Sequence, residues 1–149
     1  MAWVLALSDE DNEVKVQSLA LQTRLLEEYY SDLVNRESIL TRLLVENKNS
    51  IAALEAIDET KDAELAIPIG GGANLPVTFK ASQKVLLNVS VDVAIEKSKS
   101  EAIQYLLERV REINAALNTT LQQKQETERR INILREQLTQ LEMLSKQQG

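Results

Sequence analysis

The order of apolar and polar residues divides the chain into three parts with two different periods. From about Ser8 to Asp58 no Gly or Pro interrupts, and Leu19, Leu26, Leu33, Leu40 and Leu54 fall on one seven-residue spacing, with Asn47 as its polar member. A companion row is looser and wanders between Tyr29/Tyr30, Leu43/Leu44, Ile51 and Ile57. From Ser98 to Gln148 the chain again has no helix breaker. Alternate steps of three and four from Ile103 give Leu106, Val110, Ile113, Leu117, Thr120, Lys124, Thr127, Ile131, Leu134, Leu138, Leu141 and Ser145. Most of these are apolar, and a 3.5-residue period is that of a left-handed supercoil. Two uninterrupted stretches of roughly 50 residues, each about 75 Å long if helical, exceed the usual globular helix several-fold. The pattern predicts an antiparallel two-helix coiled coil.

Between the helices the period changes to two. Leu65, Ile67 and Ile69 alternate with smaller or polar residues, as do Leu75, Val77 and Phe79; Val85, Leu87, Val89, Val91, Val93 and Ile95 form a longer run of the same kind. Alternation with one apolar face marks half-buried antiparallel strands. Gly70-Gly71-Gly72 and Ser82-Gln83 supply turns, and Pro76 inside the second strand removes a ladder donor, which implies an edge or a bulge. The chain is thus α+β: an N-terminal apolar tip (1–7), helix one (8–62), two small hairpins (63–97) and helix two (98–149). Slender helices cannot cover such a sheet face, and small isolated sheets are marginal in water. The twelve alternating residues from Leu65 to Ile95 are therefore expected to form an interface between chains.

An antiparallel pairing with Asp58 near Ser100 requires partners whose numbers sum to about 158, give or take one turn. The polar break Thr120–Thr127 then faces Ser31–Ser38, and Arg129 and Arg130 fall near Glu28 and Glu27. Ser98-Lys99-Ser100-Glu101 fits a capping box, and Ser8 followed by Asp9-Glu10-Asp11 suits the positive end of helix one. The same register places Trp3, Val4, Leu5 and Leu7 beside Met143 and Leu144 at the coil end remote from the sheet. Trp3, Val4, Leu5 and Leu7 are either a disordered start or a staple folded onto helix one, or, with Met143 and Leu144, an adhesive end for apolar segments of other proteins. The polar break is either a tolerated defect or a soft joint.

Composition narrows the chemistry. The 149 residues include no Cys and no His, which excludes disulfides, thiolate or imidazole metal sites and Ser-His-Asp catalysis. Aromatics make up only 3%. The net charge of −6 argues against nucleic-acid binding, and residues 1–62 carry 13 acids against 6 bases. No apolar run approaches the ~20 residues of a membrane span. Met1–Leu7 is too short for a signal-peptide core, so a cytoplasmic location is expected. The triple glycine lacks the Lys-Ser/Thr of a phosphate loop. Asp9–Glu13 resembles half of a calcium loop, but Val14 and Ala20 stand where Gly and Glu are required. No cofactor, metal or catalytic residue is expected, and the chain is not read as an enzyme.

At the centre of the chain, Ile67-Pro68-Ile69-Gly70-Gly71-Gly72 resembles the Val-Pro-Ile-Gly-Ala-Gly segment of archaeal-type prefoldin alpha subunits. The spacing to Val85-Leu86-Leu87-Asn88-Val89 is similar. Val93-Ala94-Ile95-Glu96-Lys97 followed by Ser100-Glu101-Ala102-Ile103-Gln104-Tyr105-Leu106 resembles that family's exit into helix two. The match covers about 40 residues, and the family usually has glycines where this chain has Ser90 and Asp92. The resemblance implies an ATP-independent holding chaperone. Two alpha-class and four beta-type subunits join their hairpins into a β-barrel platform, and the distal coil ends grip unfolded clients and pass them to a group II chaperonin. The competing readings are a coiled-coil spacer that only oligomerises and a membrane tether using Met1–Leu7. The acids at 9–13 weaken the latter.

Overall fold

The computed structural model describes residues 2–147, with side chains from residue 9 onward. The elements follow the order α1 (Ala2–Glu55), β1 (Ala63–Gly70), β2 (Ala73–Phe79), β3 (Val85–Ser90), β4 (Val93–Lys97) and α2 (Lys99–Gln147). The chain divides into two compact units, Met1–Leu40 with Ala116–Gly149, and Thr41–Ala115.

In the first unit the inward positions of α1 keep a strict three-four rhythm: Val16, Leu19, Thr23, Leu26, Tyr30, Leu33, Glu37 and Leu40 are all buried or half-buried. The companion row that wanders in sequence is therefore regular, and it was obscured because Thr23 and Glu37 occupy two of its places. In α2 the matching positions are Leu117, Thr120, Lys124, Thr127, Ile131, Leu134, Leu138 and Leu141, the row expected from the apolar pattern. Lys124 meets Glu37 and Arg135 meets Glu27 across the pair, so the helices are antiparallel. Their residue numbers sum to 161 and 162, within one helical turn of the expected 158. That small offset redirects the charges. Arg129 bonds Glu126 on its own helix (3.0 Å), Glu28 bonds Arg24 (3.3 Å), and Arg135 rather than Arg130 reaches Glu27. Surface pairs of this kind contribute little, so the apolar seam holds the register.

In the second unit α1 presents Leu44, Asn47, Ile51 and Leu54 inward, and α2 presents Ala102, Leu106, Val110 and Ile113. Helix α1 ends at Glu55, short of the expected boundary, because Asp58 closes a local turn: its carboxylate accepts from the Thr60 N–H (2.8 Å) and hydroxyl (2.7 Å). The last turn of α1 holds no basic residue. Lys99, the first residue of α2, instead donates from Nζ to the Ile57 carbonyl just beyond α1, placing a cation near the negative end of the helix dipole. Ser98 caps α2, accepting from the Glu101 N–H at 3.2 Å. The Glu101 side chain pairs with Lys97 (3.8 Å), so only one arm of the capping box is seen. At the other helix start the expectation changes: α1 begins at Ala2, and Ser8 lies inside it.

Each hairpin is a separate two-stranded antiparallel sheet. In the first, Ala63 stands opposite Phe79, Leu65 opposite Val77 and Ile67 opposite Leu75. Pro76 sits opposite Ala66 with no shift there; the irregularity lies between Pro68 and Gly70, at the turn. β2 is thus an edge strand in its hairpin, as Pro76 requires. In the second hairpin Leu87 faces Ile95 and Val85 faces Lys97, with a shift between Asn88 and Ser90. That shift lets Val91-Asp92 turn without a glycine, and among the described residues no non-glycine residue has positive φ. It also removes Val91 from the strands.

Candidate assembly and client-binding surfaces

Residues directly opposite one another in an antiparallel ladder share a face. The register therefore gathers Leu65, Ile67, Leu75, Val77 and Phe79 on one side of the first hairpin, with Ile69 in the same alternation at its tip. In the second, Leu87 stands opposite Ile95, Val85 and Val93 follow in the same alternation, and Val89 falls in the register shift beside them. These are eleven of the twelve residues marked in sequence; the twelfth, Val91, stands fully exposed at the turn.

Burial along each face falls toward the hairpin tips. Leu87 is buried, and Val77, Phe79, Val85 and Ile95 are half-buried. Leu65, Ile67, Leu75 and Ile69 are 39%, 47%, 50% and 65% exposed. Covering those four would remove about two whole side chains of apolar surface from water, worth roughly 3–6 kcal/mol per copy. Val89 and Val93 add to the same account, being 40% and 50% exposed. A hairpin with this much uncovered apolar surface is a poor solitary structure and a good template for another chain. Sequence alternation missed Leu86, which is 65% exposed on the opposite face, because it breaks the alternation between Val85 and Leu87.

The hairpin roots are fixed more firmly. Asp62 accepts from the Ala81 N–H at 3.0 Å, joining the start of β1 to the loop after β2. The Gln83 N–H donates to the Lys80 carbonyl at 2.9 Å. Gly70, Gly71 and Gly72 all have positive φ, at 105°, 59° and 79°, so the first hairpin turns through backbone conformations that favour glycine.

The second candidate surface lies in the first unit, where α1 begins and α2 ends. The side chains of Trp3, Val4, Leu5 and Leu7 lie outside the described residues. Met143 and Leu144 are exposed, 60% and 51%. They follow Leu141 and Glu142, which line a groove of about 500 Å³ together with Asp9, Glu13 and Val16 from α1. The apolar pattern gave no sign of this groove. It arises where seam positions become polar, a signal visible only once the helices are in register.

Among the described residues no cluster of His, Cys, Asp or Glu is arranged to hold a metal ion, and no helix is long and apolar enough to cross a membrane. The titratable groups with shifted pKa values are on exposed turns or along the coil. Hydrogen bonds from the Thr60 hydroxyl and N–H hold the Asp58 carboxyl below its usual range. Hydrogen bonding to Glu37, helped by the charges of Glu37, Tyr30 and Glu128, raises the Lys124 ammonium against a smaller opposing effect of burial. Neither lines the groove.

Comparison with known proteins agrees with this architecture. Residues 26–144 match the family model described as prefoldin subunit. The chain is 30% identical over 138 residues to the prefoldin subunit alpha of Nitrosopumilus maritimus, covering 93% of this chain and 95% of that one. Among solved structures, it resembles the cryo-EM structure of filamentous PFD from Methanocaldococcus jannaschii with a TM-score of 0.62 and 18% identity, covering 74% of this chain and 93% of that one. It also resembles the crystal structure of the prefoldin beta subunit from Thermococcus strain KS-1, with a TM-score of 0.58 and 16% identity over 84% and 90% of the two chains. At those identities the two structures establish a shared fold. With a family match spanning most of its length, and a relative 30% identical over nearly the whole of both chains, the chain belongs to the prefoldin family of chaperone subunits.

Proposed function

We propose that this chain is the alpha-type subunit of a hetero-oligomeric, ATP-independent holdase. Its hairpins join those of beta-type subunits, two alpha with four beta, in a β-barrel platform. The coil ends, through Trp3, Val4, Leu5, Leu7, Met143 and Leu144, bind non-native polypeptides and release them to a group II chaperonin in the cytoplasm.

The observation that carries the reading is the separation of two kinds of exposed apolar surface. The hairpin faces are ordered ladders suited to one fixed partner. The coil end offers single exposed side chains, Met143 among them, whose unbranched, polarisable chain adapts to many surfaces. Several such ends acting together turn weak contacts into useful avidity. Release then needs only a competitor for the same segments, with no nucleotide and no covalent step.

The test is light scattering from a chemically unfolded client, diluted into the chain assembled with a beta-type partner. The intact assembly should suppress aggregation. A version lacking residues 1–7 and carrying Met143→Ser and Leu144→Ser should assemble normally and suppress poorly. Equal suppression by both would support the coiled-coil spacer reading of these ends. Scattering unchanged from the client alone, in every sample, would remove the chaperone reading.

A further inference from the structure

The groove at the end of the first unit selects by charge. Following the inward row of α1 back from Leu19 leads through Val16 to Asn12 and Asp9; following that of α2 past Leu138 leads through Leu141 to Ser145. Polar residues thus replace the seam's apolar knobs on both helices, and a groove of about 500 Å³ remains between them. Val16 and Leu141 give it an apolar floor. Asp9, Glu13 and Glu142 line it with three carboxylates against one base, Lys146.

Like several other carboxylates along the coil, these three are not neutralised by an ion pair. Glu27, Glu28, Glu37, Glu46, Glu108 and Glu126 each have a basic partner within 4.0 Å. Among the described residues Asp9, Glu13 and Glu142 have none. They are not gathered closely enough to hold a metal ion, so their charge is spread over a surface as a peptide would meet it. A second copy of the same groove would bring like charges together, which disfavours self-association here.

We infer that this groove takes cationic amphipathic segments of non-native chains: an apolar side chain on Val16 and Leu141, with neighbouring Lys or Arg beside Asp9, Glu13 and Glu142. The inference rests on the client-binding reading and adds the class of segment preferred. Acidic segments are repelled from the same place, so the groove discriminates by sign as well as by hydrophobicity.

Three fluorescent peptides of equal length and apolar content, flanked by Lys, Gln or Glu, test this by anisotropy with the full chain assembled with a beta-type partner. The Lys-flanked peptide should bind about tenfold more tightly than the Gln-flanked one, the combined effect of three exposed ion pairs. Added salt should shrink that advantage. The triple variant Asp9→Asn/Glu13→Gln/Glu142→Gln should abolish it, and Lys146→Gln should enlarge it. Equal binding of all three peptides overturns the charge preference and leaves client binding standing. A Lys advantage that survives the triple variant overturns the assignment to this groove. Binding of none of the three overturns both readings.

Discussion

Three threonines occupy the seam of the first unit, where apolar residues would pack better. Thr23, Thr120 and Thr127 are only 7%, 0% and 5% exposed. Each hydroxyl donates to the carbonyl four residues back in its own helix, at 2.7, 2.8 and 2.6 Å, so these bonds do not join the two helices. Valine keeps the β-branch and nearly the volume. The carbonyl that loses the hydroxyl keeps its helical N–H partner, so nothing buried is left unpaired. A buried methyl gains about 0.8 kcal/mol, and back-bonding of this kind slightly destabilises a helix. The lost hydroxyl bond offsets part of that gain. The net is about 0.5 kcal/mol per site, and about 1.5 kcal/mol for Thr23→Val/Thr120→Val/Thr127→Val together. For a chain of this size the triple variant should melt about 3–6 °C higher. Circular dichroism at one fixed protein concentration measures it, since assembly makes the melting point concentration-dependent. Hydrogen exchange at residues 116–128 should slow in parallel. If any single Val variant melts lower than the parent, its hydroxyl serves a partner across the seam and the reasoning is wrong. If the parent's amides at 116–128 are already as protected as those at 106–113, the polar seam is no soft joint.

Further expectations follow from individual contacts. Hydrogen bonding to Glu37 raises Lys124 above its ordinary value of 10.5, so the folded chain holds that proton more tightly than the unfolded one. The contribution is complete below 10.5 and is lost as pH rises through the folded value. The melting-point gap between the parent and Lys124→Gln should therefore narrow with rising alkaline pH; a constant gap would contradict it. At the hairpin turn, Gly70 at φ 105° leaves no room within ordinary L-residue conformations. Gly70→Ala should speed amide exchange in β1 and β2 by about tenfold, the equivalent of 1–2 kcal/mol, while Gly71→Asn, at φ 59°, should be tolerated. Ser98→Ala removes the cap of α2 and should cost about 1 kcal/mol by denaturant titration, with an unchanged midpoint as the contrary result. On the hairpin face, Ile67→Asp with Leu75→Asp should reduce assembly on size exclusion without loss of helical signal. Unaltered elution would place the interface elsewhere.

Much of this architecture is legible in the sequence because two periods report two geometries. The row from Leu106 to Leu141 and the alternation from Leu65 to Phe79 each needed only local reading. What escaped was non-local or polar. Thr23 and Glu37 hid the second row of α1, since a seam that tolerates hydroxyls bonded to their own helix, and a charge met by Lys124, does not look like a seam. A register offset of less than one turn moved the partner of Glu27 from Arg130 to Arg135. Asp58 ends the helical region early through a turn that depends on Thr60. The shift at Asn88–Ser90 left Val91 exposed in the turn instead of on the strand face. The groove at Asp9, Val16 and Leu141 needed both helices in place before its residues, some 130 positions apart in the chain, could be seen together.

The hairpin faces leave apolar surface uncovered, and we propose that other chains cover it. Native mass spectrometry of the full chain at micromolar concentration, alone and mixed with a beta-type subunit, tests it most directly. Defined multimers should form in the mixture and be lost in Ile67→Asp/Leu75→Asp. A well-folded single protomer under both conditions would contradict it.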